Sequence, residues 1–352
     1  MQDASIQYSD SAVAYLDLLK FSSIVELSQT NPIVLQSIYE MQSDLYDWLR
    51  QIADDSSDSA LRTSPPRGAM FSDSVLLSSE GPIREAFDSA ATAAMVLQGW
   101  MGERGVLYRG GITYGAFHHE EKAMFGPALI EAHDVENNIA DWPRVVLHPQ
   151  LVQRVLEAPQ PMDDFVHNLW HPVNYIICDE SGLHYLDYLG YWYNMLSFEG
   201  LRTEGHYNNT ERAAQRSFLV ARETVEHEVD ELAHKVGTGI ADRHRLLRRW
   251  GNFARYLNRA VDSVLSFMPA PNSKVPSWDD SPTKHEPLYT QWARYIQAMW
   301  QQSGTGAADA RQAIEAWWID LQKDRTQIQA CRIDLEVLSQ FWRVEPRFKY
   351  PE

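Results

Sequence analysis

The sequence predicts an α+β protein: an α/β sandwich whose sheet is mixed or antiparallel, followed by a helical C-terminal region. Three observations predict it. Over roughly the first two hundred residues, short apolar runs alternate with stretches of helical spacing, the pattern of helices packed on a sheet. Two pairs of runs are separated only by turn residues, which demands antiparallel hairpins. After about Asn208 the strand-like runs stop and long helical patterns take over.

Taken in order, Ala12 to Leu19 (AVAYLDLL) is apolar with one acid inside it and reads as a buried strand. Phe21-Ser22-Ser23 opens a helix. Pro32 to Ala53 repeats apolar residues at helical spacing, through Ile33, Leu35, Ile38, Met41, Leu45 and Leu49. The polar stretch DDSSDSALRTSPPRG breaks the pattern. Ala69 to Ser79 forms two strands of a hairpin with Ser72-Asp73 at its tip. Pro82 to Arg104 is helical, Val106 to Phe117 a strand containing glycines, Pro127 to Ile139 a helix, Arg144 to Leu147 a strand and Gln150 to Leu156 a helix. Tyr175 to Cys178 and His184 to Tyr188 make a second hairpin around Ser181-Gly182. Two long helical patterns cover Thr210 to Ser266, broken near Gly237-Gly239. A proline-rich linker at Pro269 to Pro287 leads to helices carrying Trp292, Trp300, Trp317, Trp318 and Trp342. The expected organisation is one domain over residues 1–207 and a helical region over 208–352.

The formal charge of −17 disfavours nucleic acid as a partner, because an acidic surface repels phosphate backbones. Arg243 to Arg255 is a local basic exception and reads as a solvated or interface helix. Two distant cysteines, Cys178 and Cys331, make neither a disulfide framework nor a cysteine metal site, and they fit a reducing cytoplasm. The polar N-terminus lacks the pattern of a signal peptide, and no apolar stretch is long enough to span a bilayer. A soluble, cytoplasmic protein is expected.

Two acids stand out. Asp17 lies inside an apolar strand, where an unpaired carboxylate is costly, and Asp73 lies at a hairpin tip. If their strands are neighbours, both carboxylates emerge at one edge and can cradle magnesium or manganese, which take oxygen ligands and leave room for phosphate oxygens. The helix starting at Phe21 and Ser22 offers backbone N–H groups to phosphate. Arg109 can make a forked contact with phosphate, and the two glycines after it let a ligand approach. The bland alternative is a hydrogen-bonded buried acid at Asp17 and an ordinary turn residue at Asp73.

The runs YLDLLKFSS, FSDSVLLS, YRGGITYGAF and MFGPALIEAHDVE, in that order over residues 12 to 190, resemble the successive motifs of class III nucleotide cyclases. RGGIT with FGPALIEA, and DYL at Asp187 to Leu189, are most similar to the bacterial pyrimidine cyclases of Pycsar antiphage systems. The resemblance implies that Asp17 and Asp73 bind two divalent ions, Mn2+ or Mg2+, with the Leu18 carbonyl completing the shell. It implies that Phe21 and Ser22 form the phosphate loop and that Arg109 touches the triphosphate. It further implies a homodimer with shared active sites, a nucleoside triphosphate substrate, and a separate effector that binds the cyclic product.

Several positions depart from the family pattern. The two purine-reading residues fall on Ala69 and Ala123, which cannot hydrogen-bond a base edge, and this favours UTP or CTP. The family's transition-state asparagine and arginine fall on Ile130 and Asp134, with Glu131, His133, Asn137 and Asn138 nearby and Arg67 as a further candidate. A purine cyclase with an unusual pocket, and an inactive nucleotide-binding sensor or scaffold, are the alternatives. His227-Glu228 lacks the second histidine of a zinc site, having Glu231 there. His118-His119-Glu120-Glu121 reads as a solvated hairpin tip.

Overall fold

Strand β1 (Ser9–Leu18) is the centre of the fold, and its composition explains why. Ala12, Val13, Ala14 and Leu16 are fully buried, so both faces of the strand are covered and the run is apolar rather than alternating. In the computed structural model, which describes residues 6–54, 65–120, 122–158, 171–202, 207–234, 240–268, 273–274 and 307–342, β1 is followed by α1 (Phe21–Ser28) and α2 (Pro32–Asp54). Then come the hairpin β2 (Arg67–Phe71) and β3 (Ser74–Glu80), helix α3 (Ile83–Gly102), and β4 (Tyr108–Glu120) with the short β5 (Ala123–Phe125). Helix α4 (Pro127–Asn138), β6 (Val145–Leu147), α5 (Pro149–Glu157), and the hairpin β7 (Ile176–Cys178) and β8 (His184–Leu186) complete the sheet region.

The result is α+β with a mixed eight-stranded sheet, ordered β2-β3-β1-β4-β6-β8-β7, with β5 added to β4. β1 pairs antiparallel with β3 and β4, and β4 pairs parallel with β6. The register sets Asp17 opposite Ser74 on one side and Arg109 on the other. Directly opposed residues share a sheet face. Val13, Tyr15, Asp17, Leu76, Arg109 and Thr113 therefore lie on one face, which α4 covers through a core of Val13, Leu76, Phe117, Ala128 and Ala132. Thr113 donates its hydroxyl hydrogen to the Ala128 carbonyl at 2.8 Å. The opposite face meets α2, whose Leu49 packs onto Gly68, and α5, whose Arg154 lies 4.8 Å from the Tyr114 ring centre.

The glycines of the β4 motif serve close packing. A Cβ at Gly111 would lie 2.3 Å from the Ala132 carbonyl oxygen of α4, and one at Gly110 would lie 2.5 Å from the Tyr15 carbonyl oxygen of β1. Gly111→Ala is accordingly expected to destabilise the fold by about 1–3 kcal/mol or more through overpacking against backbone that cannot give way. Urea unfolding measures it, and a variant as stable as the wild type would refute the close-approach role.

The chain divides into two compact units, residues 1–101 with 106–191, and 102–105 with 192–352. The division falls within α6 (Tyr188–Arg202), a helix the sequence reading lacked, where the buried Asp187 accepts the Gly190 N–H through Oδ1 in the first turn. In the second unit, α7 (Tyr207–His234), α8 (Ile240–Phe267), α9 (Ala307–Ala330) and α10 (Leu335–Trp342) bury Phe218, Val225, Trp250, Phe253, Leu257, Trp317 and Leu321. Asn258 donates to the Ile333 carbonyl and accepts its N–H, both at 2.8 Å, which fixes α8 to the turn before α10. Arg245, Arg248 and Arg255 are on the solvent side of α8, while Leu247, Trp250 and Ala254 face the core. The expected break at Gly237-Gly239, the linker through Pro287 (apart from residues 273–274), Trp292 and Trp300 lie outside the described residues. No described helix is long and apolar enough to cross a membrane.

Candidate functional site

The strand ends bring Asp17 and Asp73 together. β1 ends one residue after Asp17, and the β2–β3 turn places Asp73 beside it, with the Leu18 N–H donating to the Asp73 carbonyl at 3.0 Å. Each loop here contains a residue in left-handed backbone: Lys20 at φ 65°, before α1, and Ser72 at φ 58°, at the hairpin tip. Among the described residues these are the only non-glycine positions with positive φ. Such strained conformations persist only where their surroundings hold them, and they gather at functional sites.

The site is crowded with negative charge. Burial pushes the Asp17 carboxyl above its usual range, the Arg109 guanidinium opposes that, and the neighbouring Asp73 charge adds to it. Arg109 Nη2 lies 3.6 Å from Asp17 Oδ2, and Arg109 Nε lies 2.7 Å from Glu136 Oε1. The second contact is short but poorly aligned, since neither atom completes a hydrogen bond by geometry; its strength is that of a charge pair. Glu136 is raised by burial, which Arg109 opposes, while Asp17 raises it further. Tyr15 donates to Ser74 Oγ at 2.7 Å, and Ser74 Oγ lies 3.4 Å from Asp17 Oδ1. The His133 ring meets the Tyr15 ring edge-on with centroids 5.2 Å apart. Three carboxylates, Asp17, Asp73 and Glu136, thus stand around the one Arg109 guanidinium.

Leu18, Phe21, Ser22 and Arg109 all lie at this same end of the sheet. Leu18 is buried at the end of β1, Phe21 and Ser22 start α1 after Lys20, and Arg109 is the second residue of β4. Among the described residues, no group of three or more His, Cys, Asp and Glu side chains forms a metal cluster. Two aspartates fit a cation that takes its remaining ligands from backbone carbonyl, water and phosphate oxygens.

Other positions fall elsewhere. Arg67 pairs with Ser78 on β3, four residues up the sheet from Ser74, and donates to the His119 carbonyl at 2.9 Å, so it does not reach the acids. Ile130 is 65% exposed, and Asp134, Glu131, Asn137 and Asn138 are also on the solvent side of α4. Glu136 is the residue that sequence reasoning missed. It continues the buried Ala128–Ala132 stripe by one more helical step, a spacing visible in FGPALIEAHDVE.

The histidines of β4 also differ from expectation. His118 is buried, and His119 is partly buried because β5 folds back along them. They line an open cleft of about 290 Å³ with Ser9, Ser11, Arg67 and Ser78, at the other end of the strands from Asp17. Burial is the main cause holding the His119 pKa down from 6.5 to about 4, with Arg67 and His118 adding to it, and its Nδ1 is 2.6 Å from Ser78 Oγ. Between those two pH values the unfolded chain binds more protons than the folded one. Stability therefore falls as pH drops from 6.5 through about 4. His119→Asn is expected to lessen that acid loss, read from unfolding temperature against pH; an unchanged acid limb would place the proton uptake elsewhere.

The chain matches no family model and no curated protein.

Proposed function

We propose that the protein is a pyrimidine nucleotide cyclase. It converts UTP or CTP to the 3',5'-cyclic nucleotide and pyrophosphate, as the second-messenger synthase of an antiphage system. The observation that carries the reading is the convergence of Asp17 and Asp73 at one strand end, opposite Arg109 and beside the start of α1. In the reaction, the ribose 3'-oxygen attacks the α-phosphorus, the bond from that phosphorus to the β-phosphate oxygen breaks, and the hydroxyl proton passes to solvent. Divalent ions, Mn2+ or Mg2+, would supply acidity at the 3'-hydroxyl and charge neutralisation at the leaving pyrophosphate. Asp17 and Asp73 would hold them together with the Leu18 carbonyl. The backbone at Phe21 and Ser22 receives phosphate at a helix N-terminus, and Arg109 orients the triphosphate.

Ala69 on β2 and Ala123 on β5 present no hydrogen-bonding side chain to a base, which supports pyrimidine over purine. Exposed Ile24, Val25 and Leu27 on α1, Ile33, Leu35 and Tyr39 on α2, and Phe71 at the hairpin end supply apolar surface, which suits a homodimer. The product would act through a separate effector. One observation favours a second reading, a nucleotide-binding sensor without turnover: the exposed Ile130 offers no donor where the resembling family has an asparagine. Incubation of the purified protein with each of the four triphosphates and Mn2+, with pyrophosphate release and product mass measured, decides. Cyclic UMP or CMP supports the proposal, a cyclic purine product replaces it, and binding without pyrophosphate release favours the sensor.

A further inference from the structure

Arg109 stands between two acids, and its two contacts are unequal. Nε is 2.7 Å from Glu136, whose side chain is 4% exposed; Nη2 is 3.6 Å from Asp17, whose side chain is 25% exposed. The closer contact belongs to the acid that solvent barely reaches. The looser one belongs to the acid at the open end of the sheet. We propose that Glu136 is a positioning residue that draws the Arg109 guanidinium away from Asp17 and so leaves the Asp17 carboxylate available to a divalent cation. The inference rests on the reading of Asp17 and Asp73 as cation ligands.

The reasoning is one of competition. A guanidinium remains charged at all working pH values and pairs with a carboxylate through two parallel N–H groups. Arg109 faces Asp17 directly across the β1–β4 ladder, so without another acid its best partner is Asp17. A cation would then have to displace a resident ion pair before binding. Glu136 competes for the guanidinium, holding Nε at 2.7 Å while the Asp17 contact stays at 3.6 Å. Its placement follows from packing: Ala128, Ala132 and Glu136 occupy successive turns on the buried side of α4, and Gly111 lets that helix approach β4 without a side chain between them. The fold thus holds a buried acid at salt-bridge distance from Arg109, on the helix that covers this face of the sheet. Such partners, which touch a ligand's neighbour rather than the metal, commonly tune metal affinity.

The test is Mn2+ binding to the full chain without nucleotide, followed by the electron paramagnetic resonance signal of free Mn2+. Glu136→Gln is expected to weaken binding by about 10- to 100-fold. Adding Arg109→Gln to it is expected to return affinity towards the wild-type value, because the competitor is gone; a role confined to stability would show no such rescue. Glu26→Gln, an exposed acid on α1, makes the same change in net charge and is expected to leave affinity unchanged. If Glu136→Gln unfolds by circular dichroism, Glu136→Asp, which withdraws the carboxylate by one methylene, replaces it with the same direction expected. Wild-type affinity in the single variant, or no recovery in the double, overturns the proposal alone. Failure of the wild type to bind Mn2+ overturns the cation reading of the two aspartates and this proposal with it.

Discussion

Asp17→Asn is expected to reduce nucleotide cyclisation by roughly 10²–10³-fold or more, the scale of losing a group directed at developing charge, while leaving the fold at least as stable as the wild type. The two effects share one cause. Asp17 is ionised at a cost, because burial opposes its charge, and Asp73 and Glu136 lie close by. Asparagine keeps the shape and removes the charge, so repulsion inside the cluster falls, while Arg109 keeps its shorter contact to Glu136. The pH sign agrees. A carboxyl whose folded pKa is raised above its unfolded 3.8 makes the folded state relatively less stable as pH rises through that window. The Asp17→Asn variant should lack this slope. Pyrophosphate release and unfolding temperature, measured on the same preparation, check both halves. Retained turnover would sink the catalytic assignment, and a large loss of unfolding temperature would mean that the Asp17 charge supports the fold. Asp73→Ala should likewise lose turnover and remain folded, because Asp73 holds the Leu18 N–H through its backbone carbonyl, which alanine keeps.

This opposition between local stability and charge is also why part of the site was legible in the sequence. An acid inside AVAYLDLL is anomalous in a strand buried on both faces, and SD between two strand-like runs marks a turn. Each signal is local, and antiparallel pairing of neighbouring runs is enough to bring them together. The strands β1 to β4 and helices α2 to α4 emerged in the expected order because their apolar periods are long and their breakers are strong. Glu136 lay beyond reach for a different reason. Its importance comes from the crossing of α4 over β4, a contact set by tertiary packing, and in one dimension it is only one of several acids in EAHDVEN. The packing role of Gly110 and Gly111 was hidden in the same way. Their absent side chains relieve a clash with the Tyr15 and Ala132 carbonyls, and neither partner adjoins them in sequence. The His118-His119 pair looked solvated because β5 is three residues long, too short to signal the strand that folds back along them.

Arg109→Leu should destabilise the sheet region, and its compensation by a second substitution separates folding from function. Removing the guanidinium leaves Glu136, nearly inaccessible to solvent, without its cation, and removes the attraction that offsets repulsion at Asp17. Breaking a buried pair from one side costs about 3–5 kcal/mol, whereas replacing both members by apolar residues of similar volume is often close to neutral. Arg109→Leu with Glu136→Leu should therefore recover most of the lost stability in urea unfolding. Nucleotide binding should not recover with it, because no forked donor remains to meet the triphosphate. Calorimetric titration with UTP in the presence of Mn2+ distinguishes the outcomes. A stable double variant that binds UTP as the wild type does would reduce Arg109 to a structural ion-pair partner. A double variant as unstable as the single one would mean that the site relies on Arg109 for more than neutralising Glu136, with the Asp17 charge the remaining group it must balance.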